Sequence, residues 1–338
     1  MSQIPSLEEL LESAVPFAVR MRVPFRGLTV REGILLRGPS GWGEFAPFDD
    51  YSQVRAGRWL AAAVEAAWGS WPQPRRDMID VNAIIPAVDS QQAGALAREA
   101  LWEHGCRTVK VKVGSSLAED EARVVAVRDA WDSAGIEGGI RLDANAGWSL
   151  DEALSALQRL KAYGIEYVEQ PCSDLDDVAR VRSELDIAVA VDEGIRLASD
   201  PRGVRLAGIA DFAICKPMTL GGVAATFEIA KHISVPVVIS GSLDTGVGLG
   251  VSLAAAAALP SLPLASGLGT GALLAEDLTE PGLVPRDGRI PATRTAPSLD
   301  ALMRASDALR PERVQWWRDR LKGAHTAYAG AIEPRVEG

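Results

Sequence analysis

Residues 108–113 read Thr-Val-Lys-Val-Lys-Val, and valine and lysine alternate strictly from Val109 to Val113. Because side chains alternate across a β-strand, Lys110 and Lys112 lie on one face and the valines on the other. Alone, this pattern favours a strand with one solvent-exposed face. In a parallel barrel, however, strands are covered on both sides, so both lysines would point into the interior.

From Val81 to about residue 275 the chain repeats one unit, a short β-branched run followed by a helical pattern. Helices are predicted at Glu119–Ala134, Leu150–Tyr163 and Gly222–His232, and residues 149–152 form a capping box. The repeat predicts an α/β fold with a closed parallel barrel. A doubly wound open sheet is the alternative, but no glycine-rich phosphate loop follows the first strand. The candidate strands are Val81–Ile85, Thr108–Val113, Gly139–Asp143, Tyr167–Glu169, Ala188–Asp192, Phe212–Lys216, Val237–Ser240 and Leu264–Ser266.

The segment before this repeat has a different pattern. Phe17–Arg26 and Gly33–Phe48 read as short antiparallel strands, the second stretch turning at Pro39-Ser40-Gly41. Ala56–Trp68 follows as an alanine-rich amphipathic helix, which Pro72 ends. We therefore expect an α+β capping domain at residues 1–80 and the barrel at residues 81–275.

The tail from about Glu276 is richer in proline and charge. It contains predicted helices near Leu299–Leu309 and Val314–His325. We expect residues 276–338 to pack back on the cap.

Charged residues occupy the carboxyl ends of the second to sixth predicted strands. Successive ones lie 23 to 31 residues apart, the length of one βα unit. The carboxyl ends of barrel strands form the active-site face, and charges buried there cost too much free energy to be incidental. The five residues are Lys112, Asp143, Glu169, Asp192 and Lys216.

Asp143, Glu169 and Asp192 are candidate metal ligands. Three carboxylates suit a hard cation, and monodentate binding would leave positions open for a substrate carboxylate. The chain has three histidines and none accompanies these carboxylates, which counts against zinc. We predict Mg²⁺, with Mn²⁺ as a substitute.

Three lysines are candidate catalytic residues. Lys110 and Lys112 repel each other in one cavity, and a metal adds to that, so the pKa of a lysine here should fall toward the range of a base. Lys216 stands before Pro217 at a strand end, where a lysine is more often a salt-bridge partner. Here it would lie across the barrel from Lys112, which places a cation on each side of a bound substrate.

Substrate contacts are predicted beside the metal ligands. Arg141 and Asn145 share the inward face with Asp143, although Arg141 could instead neutralise neighbouring carboxylates. Glu193 could pair with Lys216.

Two turns rich in glycine and serine are further candidates for binding substrate. Ser240, Gly241 and Ser242 end the seventh strand, and Gly269 lies in the turn after the eighth. Such turns let a carboxylate approach backbone N–H groups.

Composition narrows the class of protein. A net charge of −10 argues against nucleic-acid binding. The start of the chain lacks the basic-then-apolar pattern of a secretory signal, and Val247–Leu259 is too short to span a bilayer. Three cysteines without metal-type spacing are expected to be free thiols. We expect a cytoplasmic monomer or small homo-oligomer that acts on a small-molecule carboxylate and has no membrane partner.

The ordered set Lys-x-Lys, Asp, Glu, Asp and Lys-Pro-x-x-x-Gly-Gly resembles the enolase superfamily, in its muconate-lactonizing subgroup. The likeness spans essentially the whole chain. Gly43-Glu44-Phe45-Ala46-Pro47 also looks like the GExAP stretch of the o-succinylbenzoate synthases in that subgroup, and residues 240–242 resemble their seventh-strand turn. The cap is short compared with longer relatives, and its candidate loops over the barrel mouth are residues 25–27 and 48–52.

The resemblance implies a modified TIM barrel, (β/α)7β, with an N-terminal cap completed by the tail. It also implies a Mg²⁺-dependent hydro-lyase that converts 2-succinyl-6-hydroxy-2,4-cyclohexadiene-1-carboxylate to o-succinylbenzoate, a step toward menaquinone. Lys112 would remove a proton beside the carboxylate, and the metal would stabilise the resulting enediolate. Lys216 would be a fixed cation opposite, and Lys110 would hold a carboxylate oxygen. The donor and acceptor roles of Lys112 and Lys216 could be exchanged.

Three other activities fit parts of the pattern. N-acylamino acid racemase or dipeptide epimerase would use the same site. A metal-free Schiff-base aldolase would use one lysine as a nucleophile but leaves the carboxylates without a role. A non-catalytic barrel that only binds metabolites would leave the five charged residues at the strand ends without a role.

Overall fold

The structure is a computed structural model that describes residues 5–332; residues 1–4 and 333–338, parts of the predicted cap and tail, lie outside the described residues. The chain begins with a helix, an antiparallel meander of three strands and a long helix. Arg26 and Gly27 make the first reversal, both with positive φ. These elements are α1 (Leu7–Ser13), β1 (Ala14–Phe25), β2 (Leu28–Gly38), β3 (Gly41–Phe45), α2 (Gln53–Trp68) and β4 (Met78–Asp80).

Seven parallel strands follow and pair in chain order. Their residues are almost all buried, as expected when both faces of a sheet are covered. The strands are β5 (Ala83–Ile85), β6 (Thr108–Lys112), β7 (Gly139–Asp143), β8 (Ile165–Glu169), β9 (Val189–Val191), β10 (Phe212–Cys215) and β11 (Val237–Ile239). The helices between and after them are α3 (Ser90–Trp102), α4 (Leu117–Ser133), α5 (Leu150–Leu160), α6 (Leu175–Glu184), α7 (Glu193–Arg196), α8 (Pro217–Leu220), α9 (Val223–His232) and α10 (Gly246–Ala258).

The barrel closes through a minimal eighth strand. Ser266 forms a parallel bridge with Val81, and Gly267 forms one with Ser240. A Cβ atom on Gly267 would lie 2.6 Å from the Ser240 hydroxyl, so a glycine permits this approach. The predicted strand Leu264–Ser266 is therefore reduced to two bridging residues. The fold is the expected capped (β/α)7β barrel.

Most other predicted elements are present with shifted bounds. The capping box of Ser149 and Glu152 opens α5 as predicted. The predicted helix Leu150–Tyr163 divides into α5 and a 3-10 turn over Lys161–Tyr163, and this turn ends at Gly164 with φ +66°.

The tail packs against elements from the first 80 residues of the chain. β12 (Arg289–Pro291) pairs antiparallel with β4, and α11 (Leu299–Asp307) lies against β1. α12 (Pro311–Ile332) packs along α2, and the Trp317 indole donates to the Glu32 carboxylate at 3.0 Å. The division at residues 80 and 275 stays a prediction.

Two expectations from composition can be compared with the described residues. All three cysteines are buried free thiols, as predicted. Within residues 5–332, no helix combines the length and apolarity needed to cross a membrane.

Gly43→Ala is expected to lower the free energy of unfolding by about 3 kcal/mol or more. A Cβ atom at Gly43 would lie 2.0 Å from the backbone oxygen of Ala63, and neither strand β3 nor helix α2 can move a backbone atom cheaply. Urea denaturation measures the change. Gly203→Ala is the control, since nothing lies within 4 Å of its Cβ position; equal stability of the two variants would contradict the prediction.

Candidate active site

The charged strand ends meet at one mouth of the barrel. Lys112, Asp143 and Glu169 end β6, β7 and β8, and they are aligned by parallel register. Asp192 and Lys216 directly follow β9 and β10. All three carboxylates are fully buried. The structure thus brings together the five residues that strand order predicted.

Lys110 and Lys112 both bind carboxylates inside the barrel. The Lys110 ammonium lies 2.8 and 2.9 Å from the Glu169 oxygens and 3.1 Å from Asp143. Lys112 donates to Asp143 at 2.6 Å and to the Asn145 side-chain oxygen at 2.5 Å. The solvent-exposed alternative for residues 108–113 is therefore wrong.

On the opposite side, Asp192 binds two cations. One carboxylate oxygen accepts from Lys216 at 2.6 Å and the other from Arg196 at 3.0 Å. Glu193 does not pair with Lys216 but accepts from Arg196 at 2.6 Å and from Asn145 at 3.1 Å. Sequence reasoning missed Arg196, although its place four residues after Asp192 is the spacing of an ion pair on a helix.

The lysines differ in electrostatic environment. Burial lowers the pKa of Lys112, and the charges of Lys110 and Lys216 add to this, against the attraction of Asp143. Burial also acts to lower the pKa of Lys110, but Asp143 and Glu169 beside it raise that pKa well above its usual value. Lys112 is therefore the better candidate for a base and Lys110 for a fixed cation.

The donor set fits a hard divalent cation. Three buried carboxylates from adjacent strands offer oxygens alone, and burial raises the pKa of the neighbouring Cys215 thiol to about 12, which disfavours a thiolate ligand. Among residues 5–332, no three His, Cys, Asp or Glu side chains are arranged so that they could hold a metal ion as they stand. Instead, lysine ammonium groups contact the carboxylates.

Two segments of the cap cover the mouth. Phe25 ends β1 and Arg26 follows it in the β1–β2 turn, and Phe48 and Tyr51 come from the loop before α2. The Phe25 ring centroid lies 5.4 Å from the Lys112 ammonium, and the Arg26 guanidinium lies 4.4 Å from the centroid of the Phe48 ring. Both predicted cap loops therefore reach the cavity at the barrel mouth, which Lys110, Lys112 and Lys216 also line.

Four predicted substrate contacts line this cavity, namely Asn145, Ser240, Gly241 and Ser242. Gly269 does not line it, because its Cα packs toward the backbone of Asn82. A Cβ atom at Gly269 would lie 2.5 Å from the Asn82 backbone oxygen. The next residue, Thr270, lines the cavity instead.

Arg141 is placed away from the cavity, which corrects the expectation that it contacts substrate. Its guanidinium binds Glu166, donates to the Asn82 side-chain oxygen at 2.8 Å, and lies 5.0 Å from the Tyr167 ring centroid. It stands two residues before Asp143 on the same face, and so one layer deeper in the barrel. The alternative role, neutralising a carboxylate, is the one the contacts support, with Glu166 as the partner.

Two glutamates of the cap bind the starts of barrel helices. Glu44, buried in β3, accepts from the backbone N–H groups of Thr245 and Gly248 at 3.2 and 3.1 Å, at the start of α10. Glu65 of α2 accepts from the first two N–H groups of α9 at 2.5 and 2.9 Å. Both helices follow strands that end at the cavity, so these contacts fix the cap over the mouth.

Glu44 is expected to make stability depend on pH. Burial, and then the charge of Asp244, raises the pKa of Glu44 from 4.5 to about 8. The folded protein then holds this proton more tightly than the unfolded chain, so the contribution of Glu44 to the free energy of unfolding falls as pH rises through that window.

Glu44→Gln should therefore become more stable relative to the wild type as pH rises. Urea unfolding of both proteins at several pH values between about 5 and about 8 measures this difference. A difference that stays constant with pH would contradict the assignment.

The closed barrel, its cap, and the lysines and carboxylates at the mouth define a capped (β/α)-barrel enzyme. Residues 16–67 match the family model described as enolase N-terminal domain-like, and residues 92–297 match the one described as enolase C-terminal domain-like. The chain belongs to the enolase superfamily. Members of this superfamily generally use Mg²⁺.

Relatives that match nearly the whole chain are named as one particular enzyme of this superfamily. The o-succinylbenzoate synthase of Mycobacterium tuberculosis is 46% identical over 328 residues, 96% of this chain and 97% of the relative. That of Mycobacterium ulcerans is 46% identical over 324 residues, 95% of each chain.

Solved structures show the same fold at low identity. The L-Ala-D/L-Glu epimerase from Bacillus subtilis superimposes with a TM-score of 0.70 at 22% identity, covering 84% of this chain and 96% of the epimerase. Muconate lactonizing enzyme from Pseudomonas fluorescens gives 0.69 at 19% identity, covering 90% and 97%. These likenesses support the fold alone.

Proposed function

We propose that this chain is an o-succinylbenzoate synthase, a hydro-lyase that dehydrates 2-succinyl-6-hydroxy-2,4-cyclohexadiene-1-carboxylate on the way to menaquinone. The observation that carries the proposal is 46% identity to curated o-succinylbenzoate synthases over 96% of the chain. The paired lysines and the carboxylates at the barrel mouth are the groups that this reaction needs.

Lys112 is the proposed base. Its neutral amine takes the proton from the ring carbon that carries the carboxylate, and the electron pair left behind is drawn toward that carboxylate. As this pair returns to the ring, the bond to the neighbouring hydroxyl breaks. The proton on Lys112 leaves with the hydroxide as water, and the ring becomes aromatic. Burial of Lys112, which lowers its pKa, favours the neutral amine that begins the reaction.

The other two lysines act as fixed cations in this proposal. Lys216 lines the cavity opposite Lys112 and offers positive charge to the developing anion. Lys110, whose pKa is raised, stays protonated and holds a carboxylate oxygen. Asn145 and residues 240–242 of the same cavity would contact the rest of the substrate.

Asp143, Glu169 and Asp192 would hold the metal, Mg²⁺ or its substitute Mn²⁺. When bound, the cation supplies the positive charge that stabilises negative charge on the substrate carboxylate. The small-molecule substrate, a cytoplasmic location, a monomeric or small homo-oligomeric state, and the lack of nucleic-acid or membrane partners complete the proposal.

The test is a comparison of two substrates. Purified protein with Mg²⁺ should convert the cyclohexadiene to o-succinylbenzoate, followed by the absorbance of the aromatic product, much faster than it racemises N-succinylamino acids. Faster racemisation would favour the N-acylamino acid racemase, and turnover of L-Ala-D/L-Glu would favour the dipeptide epimerase. Either result would contradict the assignment as an o-succinylbenzoate synthase.

A further inference from the structure

Arg196 connects the cap to the carboxylates at the barrel mouth. Its side chain is only 4% exposed, and its guanidinium donates to three different groups. These are one oxygen of Asp192 at 3.0 Å, Glu193 at 2.6 Å, and the hydroxyl of Tyr51 from the cap. A buried guanidinium with all three of its nitrogens bonded in this way holds its partners in one orientation.

Tyr51 is itself held firmly by the cap. Its backbone oxygen accepts from Arg320 of α12, and its ring makes edge contacts with Phe48 and Trp59 at centroid distances of 5.8 and 5.7 Å. Tyr51 and Arg196 both line the cavity. A continuous set of contacts therefore runs from the C-terminal helix through the cap loop to Asp192.

The second oxygen of Asp192 shows what this orientation does. Arg196 holds one oxygen, which turns the other toward the cavity, where Lys216 contacts it at 2.6 Å. Without Arg196, the plane of the Asp192 carboxylate could rotate, and no oxygen would be held toward the cavity. Fixing a metal-binding carboxylate through a neighbouring hydrogen bond raises metal affinity.

We propose that Arg196 is a positioning residue that orients Asp192 for divalent-metal binding, and that Tyr51 of the cap acts on the metal site through Arg196. This inference rests on the proposed metal site but not on the identity of the substrate. It makes metal affinity depend on a tyrosine that contacts none of the three candidate ligands.

The first test is direct binding of Mn²⁺, followed by electron paramagnetic resonance of the free ion, without substrate. Arg196→Lys keeps the charge, but an ammonium cannot reach Asp192, Glu193 and Tyr51 together. We expect its Mn²⁺ dissociation constant to rise about 10-fold to 100-fold. Tyr51→Phe removes only the hydroxyl and should raise the constant by roughly fivefold.

The double variant separates coupling from independent effects. If Tyr51 acts through Arg196, Tyr51→Phe should weaken Mn²⁺ binding no further once Arg196 is lysine. Arg128→Lys and Tyr163→Phe are matched controls, since both side chains make their polar contacts on the outer side of the barrel around α4 and α5. Both controls should bind Mn²⁺ as the wild type does.

Several outcomes would overturn the inference. Dissociation constants within twofold of wild type for Arg196→Lys and Tyr51→Phe, even with lowered thermal stability, would leave these residues a structural role only. If Arg196→Lys does not fold, an unchanged constant for Tyr51→Phe alone overturns the inference. Failure of wild type to bind Mn²⁺ would remove the metal site as well. Expected Mn²⁺ shifts in a protein without dehydratase activity would overturn the proposed function and leave this inference standing.

Discussion

Lys112→Ala is expected to lower kcat for the dehydration by about 10³-fold or more, because it removes the proposed base and the acid that protonates the leaving hydroxide. The protein should stay folded, since Lys110 still lies beside Asp143 at 3.1 Å and prevents an unpaired buried carboxylate. Steady-state kinetics with Mg²⁺ at saturation measure the loss, and circular dichroism checks the fold.

Lys161→Ala is the matched control, because Lys161 is exposed on the 3-10 turn after α5. It should retain wild-type kcat. A Lys112→Ala enzyme that keeps more than a tenth of wild-type activity would move the base to another residue, with Lys216 as the first candidate.

Glu169→Gln is expected to weaken Mg²⁺ binding by at least about 100-fold and to lower kcat/KM at limiting Mg²⁺ by a similar factor. An amide offers a weaker oxygen donor without charge, and its NH₂ group would face the Lys110 ammonium, which now lies 2.8 Å from a carboxylate oxygen. Activity measured against Mg²⁺ concentration gives the shift, and Mn²⁺ binding checks it without turnover.

Glu228→Gln is a suitable comparison, since Glu228 forms an exposed pair with Lys231 on the surface of α9. Surface pairs of this kind contribute little, so no change in Mg²⁺ dependence is expected. An unchanged Mg²⁺ requirement in Glu169→Gln would remove Glu169 from the metal site.

The barrel and the charged mouth could be predicted because both depend on local rules. Alternation at residues 109–113 gave the strand and its two faces, and strand ends placed Lys112 and Asp143 at the same mouth. Alternation does not give depth, however. Arg141 shares a face with Asp143 but lies one layer further inside, where Glu166 and Asn82 bind it.

Contacts between side chains that are far apart in the sequence could not be predicted from sequence patterns. The Arg196 guanidinium meets the Tyr51 hydroxyl across 145 residues, and no local pattern joins them. The predicted length of the eighth strand, Leu264–Ser266, was also too great. The barrel closes through single bridges at Ser266 and Gly267, and one residue with the right backbone contacts is enough for a bridge. The role of Glu44 required knowing that β3 lies against the start of α10.

The glutamates that cross from the cap to helices α9 and α10 limit how this protein can be recombined. Each glutamate accepts hydrogen bonds from one helix start, and a cap without that partner would leave its carboxyl oxygens without these donors, which costs most for the fully buried Glu44. In a chimaera between two members of the superfamily, the cap should therefore be exchanged together with the sixth and seventh βα units. A crossover between the cap and these two units would separate Glu44 and Glu65 from the backbone N–H groups that they bind. The segment to be exchanged is therefore larger than the cap alone.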